Sequence, residues 1–273
     1  MTCVFAHVDS FTDKPFTGNP AVVCLLEAEA SYEWMQKVAT ETNVSDTAFV
    51  YLHEAGADGY RLRWFTPAAE VALCGHATLA SAHLLWEDGV VAGGAEIAFS
   101  TRSGRLAARR RDGQIELDFP ADTVTPREPP EDLAAMLGID RWTYVGRLPM
   151  GYLVELESEE AVRRLAPDQG LLSKLPGEAV VVTSVSSSGE YDFVSRLFAP
   201  SMGIPEDPVT GSSHCSLGPY WGERLNKSEM VGFQASQRSG YVRVRLSGER
   251  VLIAGSAVTV VHGELRGQVK GLT

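Results

Sequence analysis

Chemistry in this chain concentrates in two short stretches that rhyme. Cys74-Gly75-His76-Ala77 follows Phe65-Thr66-Pro67, and Thr210-Gly211-Ser212-Ser213 follows Phe198-Ala199-Pro200. Each places a glycine at the expected start of a helix. Unpaired N–H groups and a partial positive charge at such a start suit an anion, a carboxylate above all. Gly75 and Gly211 are therefore candidate anion holders. His76 sits in the first turn of its helix, where it could shuttle protons near neutral pH or serve as a polar cap. Phe65 to Cys74 spans nine positions and Phe198 to Thr210 spans twelve. The longer stretch carries Glu206-Asp207-Pro208, and insertions at a helix mouth are often functional. Asp207 reads either as a site acid or as a loop cap.

Other chemistries lack their signatures. HExxH is missing and no CxxC pair occurs, so no metal site is expected. Neither GxGxxG nor a P-loop is present, which leaves a nucleotide cofactor without support; none is expected. GxSxG and SxxK are absent too. The net charge of −11 and the pI of about 5.0 argue against nucleic acid, which needs a basic face. The basic run Arg109-Arg110-Arg111 reads as a solvated strand end before a turn. No apolar run reaches the ~18 residues of a membrane span. With no signal peptide visible, Cys3, Cys24, Cys74 and Cys215 read as reduced thiols in a cytoplasmic protein.

The elements that must position these residues are doubled. Gly75 and Gly211 lie 136 residues apart, and so do Gly104 and Gly240 of the two Arg-Ser-Gly triplets. A constant offset across separate motifs marks an internal duplication. Two folded halves would make a cleft, with the paired motifs facing one site. The length of 273 residues suits two such domains. In the first, strands are expected at Cys3–Val8, Thr47–Leu52, Tyr60–Phe65, Ile97–Phe99, Leu106–Arg109 and Ile115–Phe119, with Asp112-Gly113 a hairpin turn. Ser31 should cap a helix carrying Trp34, Met35 and Val38. The helix from Gly75 is apolar on most sides and should be buried in a curled sheet. Pro120 to Pro130 holds four prolines and reads as the linker. The second half repeats the order, with strands Tyr152–Leu156, Ala179–Val185 and Phe193–Phe198, a helix from Gly211, and strands from Tyr241. The division is 1–120 and 121–254, with the last segment, about 255–273, able to pack back onto the first half.

Asp9-Ser10-Phe11-Thr12, Gly18-Asn19-Pro20-Ala21, Cys74-Gly75-His76-Ala77-Thr78 and Glu206-Asp207-Pro208-Val209-Thr210-Gly211-Ser212 together resemble the PhzF phenazine-biosynthesis-like family of the diaminopimelate epimerase superfamily. The resemblance implies an α+β fold of two pseudo-symmetric domains, each a barrel-like, mostly antiparallel sheet around a central helix. It further implies a homodimer and a cofactor-free isomerase that moves a proton between carbons of a small carboxylate-bearing metabolite. His76, Asp207 and an acid at position 46 would be catalytic, while Asn19, Gly75, Gly211 and Ser212 would bind substrate. The family's proton-shuttling acid is a glutamate in an Asn-x-Ser-Glu-Thr pattern. Here Asn43-Val44-Ser45-Asp46-Thr47 keeps the acid and shortens it by one methylene.

Two other readings stay open. The superfamily's two-thiol mechanism would need a second cysteine where Thr210 stands. One thiol opposite a threonine leaves a Cys74-dependent epimerase or dehydratase, with Cys74 and Thr210 as further candidates. A family scaffold that binds a ligand or partner without turnover is the third.

Overall fold

A computed structural model of the chain describes residues 3–56 and 59–266. The chain divides into two compact units, Met1–Asp118 with Ala254–Thr273, and Phe119–Ile253. In chain order the first runs β1 (Cys3–Ser10), β2 (Asn19–Leu26), α1 (Tyr32–Thr42), β3 (Asp46–Gly56), β4 (Gly59–Phe65), β5 (Glu70–Val71), α2 (Gly75–Glu87), β6 (Ile97–Thr101), β7 (Gly104–Arg111) and β8 (Gln114–Pro120). The second runs β9 (Thr125–Pro126), α3 (Leu133–Leu137), β10 (Tyr144–Leu148), β11 (Gly151–Glu155), α4 (Glu159–Arg164), α5 (Gln169–Leu172), β12 (Ala179–Val185), β13 (Phe193–Ala199), β14 (Ile204–Asp207), α6 (His214–Leu225), β15 (Glu229–Gln234), β16 (Gly240–Ser247) and β17 (Arg250–Gly255). The last described strand, β18 (Ala257–Leu265), pairs antiparallel with β1 along its whole length and so belongs to the first unit. Residues 267–273 of the expected C-terminal segment lie outside the described residues.

In the first unit β1 lies antiparallel between β18 and β2, β2 runs parallel to β3, β3 is antiparallel to β4, and β4 is parallel to β6. Both faces of this sheet are covered. Val22, Cys24 and Leu26 join Met35, Val38 and Ala39 of α1 in one core. Their buried neighbours Ala21, Val23 and Leu25 project to the opposite face, where α2 packs on β1, β2 and β3. A helix so placed must be apolar all round. Accordingly Ala77, Leu79, Ala80, Ala82, Leu84 and Leu85 are buried. Its buried hydroxyls are satisfied within the helix, Thr78 donating to the Cys74 carbonyl and Ser81 to that of Ala77, both at 2.7 Å. The Asp112-Gly113 turn between β7 and β8 has positive φ at both residues, 51° and 78°, the conformation a two-residue hairpin favours.

The second unit repeats the pairings. β11 runs parallel to β12, β12 antiparallel to β13, β13 parallel to β15, and β15 antiparallel to β16. α6 is its buried central helix. A Cβ on Gly218 would stand 2.6 Å from Val244 Cγ1, and one on Gly222 2.5 Å from Leu246 Cδ1, so the glycines let the helix settle onto β16.

Two expectations need correction. Pro120 to Pro130 is not a free linker. Its backbone is tied down at Ala121 to the Glu249 carbonyl and at Asp122 to that of Cys215, and β9 within it pairs with β10. Prolines leave the carbonyls and the remaining N–H groups able to bond, so a proline-rich composition did not exclude an edge strand. The helix expected from Gly211 begins at His214. Gly211, Ser212 and Ser213 form a tighter lead-in, their carbonyls accepting from residues three further on at 3.0–3.2 Å.

Candidate active site

The first unit builds its site from three chain segments. α1 stops at Asn43, whose left-handed conformation (φ 49°, ψ 36°) turns the chain out of the helix. Ser45 then donates to the Pro20 carbonyl at 2.9 Å, and Asp46 enters β3 opposite Ala21. The Asn-x-Ser-Asp-Thr stretch is thus a helix stop, a tether and the first strand residue. The second segment is the loop from β1 to β2. Gly18, at φ +68°, passes so near β1 that a Cβ would lie 2.2 Å from the Ser10 carbonyl oxygen. This close approach delivers Asn19, fully buried, to the head of β2. The third is the start of α2, where Ser10 Oγ donates to the His76 carbonyl at 2.8 Å.

These segments meet at the His76 ring. Asn19 Nδ2 is 3.3 Å from Nδ1, Ser45 Oγ is 3.2 Å from Nε2, and Asp46 Oδ2 is 3.6 Å from Nε2. Cys74 Sγ lies 3.5 Å from Nδ1. Burial pushes the imidazole pKa down to about 3, so the ring is neutral at pH 7. Its tautomer follows from its partners. An amide nitrogen can only donate, so Nδ1 accepts from Asn19 and the proton sits on Nε2, facing Ser45 and Asp46. Asp46 is 9 % exposed, a carboxylate at the rim of a buried cluster.

The second unit holds its candidates in one knot. Asp207, the last residue of β14, accepts the Thr210 hydroxyl proton on Oδ2 in a short hydrogen bond. Gln234, at the end of β15, accepts from the Thr210 N–H at 2.8 Å and donates to the Asp207 carbonyl at 2.8 Å. The Thr210 carbonyl accepts from Ser213 Oγ and from His214 Nδ1, both at 2.8 Å. Gly211 and Ser212 follow directly and lead into α6.

In the first unit the structure brings together Asn19, Asp46, Cys74, Gly75 and His76; in the second, Asp207, Thr210, Gly211 and Ser212. Sequence reasoning assigned no role to Ser10, Ser45 or Gln234. Ser45 stands inside a quoted motif, and its place before the acid was a usable signal. Gln234 lies 24 residues from Thr210 and carries no local mark.

Each unit wraps its strands round a buried helix, a fold shared with solved racemase- and epimerase-type structures. A hydroxyproline epimerase from Agrobacterium vitis superposes with a TM-score of 0.62, covering 97% of this chain and 91% of its own, at 11% identity, which speaks for fold alone. The model of phenazine biosynthesis-like proteins matches residues 8–263, and the chain belongs to this family. An uncharacterized isomerase of Halalkalibacterium halodurans is 49% identical over 97% of this chain and 99% of its own. Another, from Pseudomonas aeruginosa, is 48% identical over the same shares. The crystal structure of a PhzF-family phenazine biosynthesis protein from Enterococcus faecalis has a TM-score of 0.90 and 37% identity, covering 97% of this chain and 99% of that one.

Proposed function

We propose that this chain is a cofactor-independent isomerase in which Asp46 moves a proton between two carbons of a small carboxylate-bearing metabolite. The observation that carries this is the Asp46 carboxylate, 3.6 Å from a buried neutral imidazole that presents an N–H toward it. The ionised carboxylate removes a proton from a carbon activated by the substrate's own unsaturation. The electron pair shifts along the double bond, and the carboxylic acid so formed returns the proton to a second carbon. Atoms and charge balance without a co-reactant. His76 Nε2–H and Ser45 orient the shuttle, and the N–H groups at the start of α2 and in the Gly211-Ser212 lead-in to α6 are suited to hold carboxylate oxygens. Relatives named as isomerases, 49% and 48% identical, support this class of reaction.

Isotope exchange tests the reading. In heavy water, with unsaturated cyclic amino or hydroxy acids including dihydro-hydroxyanthranilate, the protein should wash deuterium into a C–H position seen by NMR. Asp46→Asn should lower that rate by about 10²–10⁴-fold, the usual worth of a positioned acid–base group. Full activity in that variant would remove Asp46 from the mechanism. No exchange across a broad panel would favour a binding role.

The Cys74 contact with His76 Nδ1 supports a second reading, a thiol-dependent epimerase or dehydratase. It predicts that Cys74→Ser abolishes exchange, whereas the Asp46 shuttle survives that change.

A further inference from the structure

The Cys74 thiol, the His76 imidazole and the Asp46 carboxylate each offer one donor atom, and the three atoms lie within 4.8 Å of one another. We propose that this trio is a binding site for a zinc-like divalent cation, and that occupancy silences the site. The donor set is one sulfur, one imidazole nitrogen and one carboxylate oxygen with a fourth position left for water, a combination that suits Zn²⁺ and excludes Mg²⁺ and Ca²⁺ by softness. Tetrahedral bonds of ordinary length hold such donors about 3.3–3.6 Å apart. Here Nε2 and Oδ2 are 3.6 Å apart, and Nε2 and Sγ are 3.9 Å apart. Sγ also lies 3.5 Å from Nδ1, over the ring, so an ion on Nε2 requires the Cys74 side chain to turn to another rotamer.

Charge and protons also balance. A dication against one thiolate and one carboxylate leaves no net charge, which a buried setting tolerates. The thiol proton goes to solvent. The imidazole proton moves from Nε2 to Nδ1, where it needs an acceptor. Asn19 supplies one by turning its amide over, presenting Oδ1 in place of Nδ2. A ligating histidine usually gives its other N–H to such a partner. Silencing follows because the metal would take the Asp46 oxygen and the His76 nitrogen that the shuttle uses. That consequence rests on the isomerase reading; the binding does not.

Cobalt reports the site directly. Full-length protein stripped with chelator and desalted should take up one Co²⁺ per chain. It should show the visible bands of tetrahedral cobalt and a near-ultraviolet sulfur-to-cobalt charge-transfer band, both lost on adding Zn²⁺. Serine is a good residue at a helix N-cap, so Cys74→Ser should fold. It should lose the charge-transfer band and bind Zn²⁺ at least about 100-fold more weakly, as removal of one of three ligands requires. A wild-type protein without the charge-transfer band would overturn the proposal. So would a band that persists in Cys74→Ser, since it would place the ion on Cys3, Cys24 or Cys215. Zn²⁺ should also stop deuterium exchange, and chelator should restore it. Failure of the isomerase reading shows separately, as absent exchange in the chelator-treated protein.

Discussion

Asn19 decides what His76 can do. With its amide nitrogen on Nδ1, the ring proton is held on Nε2, toward Ser45 and Asp46. Removing that donor frees the tautomer without touching Asp46, the proposed shuttle. Asn19→Ala should therefore lower kcat about 10–100-fold, the scale of losing the group that orients a partner, while KM changes little. Asn19→Asp should not rescue it, because a carboxylate accepts and would draw the proton to Nδ1. An unchanged kcat in Asn19→Ala would show that the tautomer is set elsewhere. At this scale the sequence was readable where a motif was contiguous. Asp46, His76 and Cys74 were marked by their neighbours along the chain. That the three cluster was not readable, since Asp46 comes from the head of a strand and the other two from the start of a helix.

At the scale of elements, the second unit depends on one amide. Gln234 joins the ends of β14 and β15 through Thr210 and Asp207, and its side chain is buried. Gln234→Ala would leave the Thr210 N–H and the Asp207 carbonyl without it. The expected loss of stability is about 2–4 kcal/mol, from two buried groups at about 1–2 kcal/mol each, measured as a shift in the urea midpoint at unchanged slope. A shift under about 0.5 kcal/mol, the size of an ordinary surface change, would mean that water replaces the amide. Strands and helices were largely legible, because burial on two faces and hairpin turns leave local patterns. α2 follows its apolar run closely, and β12 matches the expected Ala179–Val185. The start of α6 was not, because a glycine signals where a helix can begin but not whether its first turn is tight. Nor was the tethering of Pro120 to Pro130, whose partners lie far along the chain.

For the whole molecule, buried groups set the response to acid. His214 is fully buried, and burial pushes its pKa from 6.5 down to about 4. Between those values the unfolded chain binds a proton that the folded one refuses, so stability falls as pH drops below 6.5 and levels off near 4. At pH 5 this one group removes about 2 kcal/mol. Glu159 acts lower down. Although burial opposes it, hydrogen bonds from Tyr191, Ser187 and Arg163 hold its carboxyl at about 2. A carboxyl lowered in this way stabilises above its unfolded pKa of 4.5 and loses that contribution as pH falls toward 2. Thermal midpoints should therefore decline from pH 6.5 to pH 4, and, because the buried His76 held at about 3 acts in the same direction, His214→Asn should reduce that slope without abolishing it. A wild-type midpoint that stays level from pH 7 to pH 5 would contradict the assignment.

The pairing of β1 with β18 gives the chain an order of manufacture. The first strand leaves the ribosome beside β2 but without the partner for its other edge. That partner, Ala257–Leu265, is made only after the whole of Phe119–Ile253. Phe119–Ile253, uninterrupted in sequence, can close before the unit that began first. Synthesis normally favours the N-terminal domain. Here Phe119–Ile253 can be finished first, and the cluster of Asn19, Asp46 and His76 is completed in a unit that waits for Ala257–Leu265.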